Sequence, residues 1–158
     1  MAQRADGVIE KHKAFAYITW QGRLLVFRQP DFPEAGVQVP AGTIEVDEMP
    51  EAAVLREAYE ETGLAHLTVV RFLGTCRRDM SDYGIAQIHV RHFFHLSVHL
   101  GAEQDASQDH VQTWRHLETQ SNNPQKIPIV FEFWWATLPD GIPNLIADHG
   151  QMLAMLSL

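Results

Sequence analysis

A single cysteine, Cys76, stands among the 158 residues, so no disulfide framework within the chain can staple this fold. That scarcity suits a reducing, cytoplasmic setting. Cationic residues are also few: 12 Lys and Arg face 20 Asp and Glu, a formal net charge of −8. A protein that grips a nucleic-acid backbone needs clustered cations, so no nucleic-acid partner is expected. Long apolar runs are missing. Ile127 to Leu138 comes nearest, but Pro128 and Glu132 interrupt it and it is too short to span a bilayer. Met1 to Lys13 carries charges of both signs and no apolar stretch, unlike a signal peptide. Repeats, low-complexity tracts and Ser/Gly-rich linkers are absent too, and residues 1–158 read as one domain.

What is present is the composition of a soluble globular protein, 46% apolar and 20% charged. Ala14 to Trp20 and Arg23 to Phe27 read as strands joined at Gln21-Gly22 into a hairpin. Gln29 to Gly36 is a loop, and Val37 to Val39 a short strand ended by Pro40. Pro50 to Thr62 is the clearest helix, with proline in its first turn and Gly63 as its stop. His66 to Thr75 reads as a strand and Arg77 to Gly84 as a polar loop. In the strand-like stretch Ile85 to Leu100, Ile88, Val90, His92, Phe94, Leu96 and Val98 share a face. Val111 to Leu117 and Ile129 to Leu138 read as further strands, and Asn144 to Leu156 as a closing helix. The expected class is α+β, an αβα sandwich around a mixed, largely antiparallel sheet.

The helix carries the chemistry. At 100° per residue Glu57, Glu60 and Glu61 occupy one arc, while Ala52, Leu55, Ala58 and Tyr59 fall largely opposite. Like charges at these spacings repel, by about 0.2–0.5 kcal/mol per pair, and a cation relieves that cost. Magnesium prefers such oxygen ligands and commonly bridges carboxylates to phosphates. Taken alone, three glutamates more often mean a solvated acidic face.

The surroundings decide between these readings. From Gly42, five residues lead to Glu48, and seven more lead to Arg56-Glu57; Glu60-Glu61 and Gly63-Leu64 follow. This resembles the Nudix box, Gly-x5-Glu-x7-Arg-Glu-U-x-Glu-Glu-x-Gly-U, where U is a bulky aliphatic residue. All of its fixed identities are present; the one departure is Ala58 at the first U position. The resemblance implies a Nudix-like fold and a hydrolase that cuts a pyrophosphate bond in a nucleoside diphosphate linked to another moiety. Triphosphates, nucleotide sugars and dinucleoside polyphosphates are its substrate classes. It implies Mg2+, with Mn2+ as an alternative, held by Glu57, Glu60 and Glu61 and by a backbone carbonyl at Ala41 or Gly42. Glycine at 42 would serve a tight turn close to the metal. Glu48 and Arg56 would brace the loop, and Gly63 would cap the helix. Glu57 or Glu60 would act as general base; in some members the base comes from a later loop, where Glu103 is the nearest candidate.

Family habits add a homodimer, through the aromatic stretch Phe131 to Trp135, and leave four functions to compare. An inactive nucleotide-sensing or protein-binding module is the alternative to catalysis, but such relatives usually lose box glutamates. Isoprenoid isomerase chemistry would need a cysteine–glutamate pair, and Cys76 is the only thiol. Messenger-RNA decapping conflicts with the acidic balance. Substrate contacts are expected from Arg28, Phe32, Arg77, Arg78 and Tyr83, since arginine grips phosphate and an aromatic ring stacks on a base. ADP-ribose-specific members tend to carry a proline shortly beyond the box, and none occurs between Pro50 and Pro124. Dinucleoside-polyphosphate members tend to carry a tyrosine slightly further on, and Tyr83 is out of register. Among the histidines, His92 and His95 would point to opposite faces of a strand, and His95 and His99 would stand about 13 Å apart, too far to share zinc. Trp114, Trp134 and Trp135 read as core or interface aromatics.

Overall fold

The computed structural model describes residues 2–3, 6–100, 113–118 and 128–156. Strands β1 (Ala2–Gln3), β2 (Ile9–Trp20), β3 (Arg23–Arg28), β4 (Ala41–Thr43), β5 (Leu67–Asp79), β6 (Gln87–Val98), β7 (Thr113–Glu118) and β8 (Ile129–Thr137) form one sheet, and α1 spans Pro50–Thr62. The main strand order is β5-β6-β2-β3-β8-β7, with β1 and β4 paired to β2. β2 and β6 run parallel from Ile9↔Gln87 to Thr19↔Ser97, and the other described pairs are antiparallel.

The β2–β3 turn has φ of 48° at Gln21 and 72° at Gly22. Positive φ at both central residues is what a two-residue hairpin needs to match strand twist. β2 meets β3 only at Thr19 and Trp20; at Lys13 to Phe15 its partner is β4. This change of partner along one strand brings β4 beneath the end of α1 that carries the glutamates.

Both faces of the sheet are buried. On one, Ala53, Val54 and Ala58 of α1 pack with Ala14, Ile18, Phe27, Phe94, Leu96 and Phe133. Burial of a side chain such as Val54 contributes about 1.5–3 kcal/mol. On the other, Phe15, Tyr17, Val26, Leu73 and Phe93 pack under Leu145, Met152 and Leu153. β6 therefore has apolar residues on both sides, Phe93 on one and Phe94, Leu96 and Val98 on the other, as a central strand should. Trp114 stacks on Phe133 at 5.2 Å, and Trp135 belongs to the same core.

Several element-level expectations change. The α1 docking face is Ala53, Val54, Ala58 and Thr62, whereas Ala52 is exposed and Tyr59 is 59% exposed. Small residues at 53 and 58 let the helix sit close to the sheet, where a tyrosine would not fit. Residues 37–39 make only isolated bridges, Phe27↔Gln38 and Val37↔Leu145. Arg77 and Arg78 belong to β5, and the loop begins after Asp79.

The closing helix is not formed. Residues 144–156 hold two short 3-10 turns, with φ of 48° at Ala147 and 58° at Asp148. The backbone bonds inside the segment are three-residue turns, such as His149 N–H to Ile146 O and Met155 N–H to Met152 O, and several other groups bond outside it. Ile146 N–H donates to Val37 O and Ala147 N–H to the Tyr83 hydroxyl; Arg91 donates to Ala147 O and Tyr17 to His149 O. The second layer on that face is irregular, and α1 is the one α-helix among the described residues.

Candidate active site

α1 starts with Pro50, whose missing N–H costs nothing in the first turn. It ends at Gly63, left-handed at φ 74°, whose N–H bonds Tyr59 O at 2.9 Å. β7 fastens the same end: Trp114 Nε1 donates to Thr62 O at 3.1 Å and His116 Nε2 to Glu60 O at 3.0 Å. The last turn, which carries Glu60 and Glu61, is thereby fixed against the sheet.

The three glutamates do not form an exposed acidic face. Glu61 is 8% exposed, and its Oε2 accepts from Ala41 N–H at 3.1 Å. Glu57 lies directly over Gly42; a Cβ built there would fall 1.9 Å from Glu57 Cδ. Gly42 is thus needed as room for a carboxylate rather than for a tight turn, since it sits in extended β4.

Arg56 organises the loop. Its Nε and Nη2 donate to the two oxygens of Glu48 at 2.8 and 2.9 Å, and Nη2 also donates to Thr43 O at 3.1 Å. Its Nη1 donates to Glu57 at 2.8 Å and Glu60 at 3.3 Å. The guanidinium holds the Glu48 carboxyl down at about 2. Burial pushes Glu57 up, against the pull of Arg56, and the negative charges of Glu60 and Glu118 add to that push. Glu61 is raised well above the ordinary carboxylate range, first by burial and then by Glu57. Lys13 is lowered by its burial, then by Lys11.

Lys13, Gly42, Arg56, Glu57, Glu60 and Glu61 line a cleft of about 400 Å³ together with Ala41, Thr43, Glu45, Glu118, Ile129 and Phe131. Its carboxylates are hard oxygen donors crowded in a partly desolvated place, which suits a divalent cation of the magnesium type. The space that Gly42 leaves at Glu57 keeps that carboxylate over β4. Among the described residues, no three His, Cys, Asp or Glu side chains converge as a finished ligand set, since Arg56 draws Glu57 and Glu60 toward itself.

A model of the NUDIX domain matches residues 10–133, most of the chain and all of the carboxylate-bearing segment. The chain belongs to the NUDIX family. An RNA pyrophosphohydrolase from Gluconacetobacter diazotrophicus is 40% identical over 70 residues, which cover 40% of this chain and 42% of that protein. The match therefore spans less than half the length of that curated relative. Among solved structures, a UDP-X diphosphatase aligns with 92% of this chain and 60% of its own, at 17% identity and TM-score 0.60. A MutT NUDIX hydrolase from Burkholderia pseudomallei aligns over 94% of this chain and 98% of its own, at 21% identity and TM-score 0.58. At such identities these two likenesses show a shared Nudix fold.

The Nudix cleft brings together Ala41, Gly42, Arg56, Glu57, Glu60 and Glu61, with Glu48 bound behind Arg56. Arg28, Arg77, Arg78 and Tyr83 do not line it. Arg28 pairs with Glu132 at 2.8 Å, and the second oxygen of Glu132 takes Arg115. Arg77 pairs with Glu10. Arg78 pairs with Asp82 and Asp148, its guanidinium 5.7 Å from the Tyr83 ring. Glu103 lies outside the described residues. His92 bonds His12, and His95 bonds Thr19.

Three charged cleft residues escaped the sequence reading: Lys13 on β2, Glu45 after β4, and Glu118 on β7, the last 7% exposed. Strand alternation marks Glu118 as a charge among apolar neighbours, but only the pairing of β7 with β8 brings it to α1. Lys13 looks like any strand-start lysine until its pairing with Thr43 is known.

Proposed function

We propose that this Nudix protein is a divalent-metal-dependent pyrophosphohydrolase acting on a nucleoside diphosphate linked to a further moiety. The observation that carries the reading is that Glu57, Glu60, Glu61 and Glu118 line one cleft together with the Ala41-Gly42 backbone. Glu57, Glu60 and Glu61, with a carbonyl at Ala41 or Gly42, would hold Mg2+ or Mn2+. When bound, the ion would neutralise charge on the phosphates and acidify a water. The chain's own part is to fix the glutamates: Arg56 and Glu48 lock the loop, and β7 locks the end of the helix. A water oxygen attacks phosphorus, the bridging P–O bond breaks, and the water's proton passes to Glu57 or Glu60. Glu118, buried in the lining of the cleft, adds its charge to the push on Glu57 and Glu61.

A small nucleotide-type substrate suits a cleft of this size in an acidic chain. The RNA pyrophosphohydrolase relative supports a second substrate class, a pyrophosphate bond carried by RNA. No helix of the described residues is long and apolar enough to cross a membrane; with the free thiol at Cys76 this supports a cytoplasmic enzyme.

The test is a Mg2+-dependent hydrolysis screen over nucleoside triphosphates, nucleotide sugars, ADP-ribose, dinucleoside polyphosphates and 5′-triphosphorylated RNA, with products resolved by chromatography. Glu57→Gln and Glu60→Gln are expected to lower turnover by about 100-fold or more, a typical scale for lost acid–base help, with the fold intact. If both keep wild-type rates, the assignment fails. If wild type turns over none of the panel, the sensing module takes its place.

A further inference from the structure

Substrate phosphates need cationic donors, and two cations line the cleft: Arg56 and Lys13. Arginine has five N–H donors. All five of Arg56 are engaged, by Glu48, Glu57, Glu60 and Thr43 O. Arg56 is therefore committed to holding the loop. Lys13 differs. It carries three donors, and its one hydrogen bond among the described residues runs from Nζ to Thr43 Oγ1 at 2.9 Å. It makes no ion pair there, although its neighbours in the cleft include Glu57 and Glu61. Burying an ammonium without a close counter-charge is costly, and an arriving anion would offset that cost.

The geometry points to Lys13 as the cation that grips the diphosphate of the substrate, an inference that rests on the pyrophosphohydrolase reading above. Register sets its position. Lys13 pairs with Thr43, one residue beyond Gly42, and Thr43 Oγ1 holds its ammonium in the cleft that the helix glutamates also line. The same cleft then supplies carboxylates for the metal and a fixed ammonium for phosphate oxygens. Thr43 steers Nζ without consuming its charge. The acidic side chains lining the cleft, Glu45, Glu57, Glu60, Glu61 and Glu118, outnumber Arg56 and Lys13.

The full chain serves for the test, with methylenediphosphonate, a non-hydrolysable form of the shared diphosphate, as probe in saturating Mg2+. Calorimetry on Lys13→Met should show binding weakened about tenfold or more, the scale of one charge-assisted hydrogen bond. Mg2+ affinity of the nucleotide-free variant should hold or tighten, because a nearby positive charge has gone. Lys13→Gln should fail to restore probe binding, since glutamine can keep the bond to Thr43 but not the charge. Unchanged probe affinity in Lys13→Met, recovery in Lys13→Gln, or Mg2+ affinity falling in step with probe affinity would each overturn the role. A wild type that is active on the substrate panel while Lys13→Met binds the probe normally removes this inference alone. A wild type inactive on the whole panel removes the enzyme reading with it.

Discussion

Gly42 shows how much of a site can depend on the absence of an atom. The Glu57 carboxyl occupies the volume a Cβ would need, with Cδ 1.9 Å from that position. The clash is with a flexible side chain, so Gly42→Ala should leave the fold standing and push Glu57 off β4. Turnover is then expected to drop about 100-fold, as in Glu57→Gln, with only a modest loss of stability, about 1–3 kcal/mol for a local overpacking. Because both changes act through one carboxylate, the double variant Gly42→Ala/Glu57→Gln should be scarcely slower than either single one. Multiplicative losses would show that Gly42 acts through something else. At this scale the box was legible as a pattern, since each of its identities stands at a fixed spacing in the sequence, although the room that Gly42 leaves for Glu57 was not. Lys13 and Glu118 were not legible. Their part in the cleft comes from strand pairing, which no local pattern records.

At the scale of elements, α1 was readable to the residue because its ends carry strong signals, Pro50 and Gly63. Its rotation was not. The rule that charges face water placed Glu61 outside, whereas the fold buries it against Ala41 N–H. The closing helix failed for a related reason. Local periodicity favoured it, but Tyr17, Tyr83, Arg91 and the Val37 carbonyl claim several of its backbone groups. The helix end allows a direct test. Gly63 has φ 74°, and a Cβ there would stand 3.0 Å from the His116 ring, which holds Glu60 O. Gly63→Ala is expected to cost about 1–2 kcal/mol from the left-handed backbone, with the displaced His116 contact in addition. Urea unfolding measures this; a loss under about 0.5 kcal/mol would mean the cap contributes little.

Across the whole molecule, the irregular C-terminal layer is tied to the cleft through one buried histidine. His149 is 9% exposed and packs edge-on against Phe15 at 4.9 Å. Its Nδ1 accepts from Val39 N–H at 3.3 Å, two residues before Ala41. Burial, with the charges of Arg91 and His89, lowers it from 6.5 to about 3. The folded value lies below the unfolded one, so its contribution is complete above about pH 6.5 and is lost as pH falls toward 3. The steepest slope for one such group is about 1.4 kcal/mol per pH unit. Glu48 begins to add its own loss only below about pH 4.5, and the raised Glu57 and Glu61 work in the opposite sense. A comparison with His149→Asn isolates the histidine, because asparagine can accept from Val39 without titrating. Urea unfolding between pH 7 and 4.5 should show wild type losing stability more steeply than the variant, by up to about one proton's worth of slope. Parallel curves would mean that His149 charges without disturbing the layer. A steeper wild-type curve would make acid a means of loosening the segment that holds Val39, and with it the backbone leading into the site.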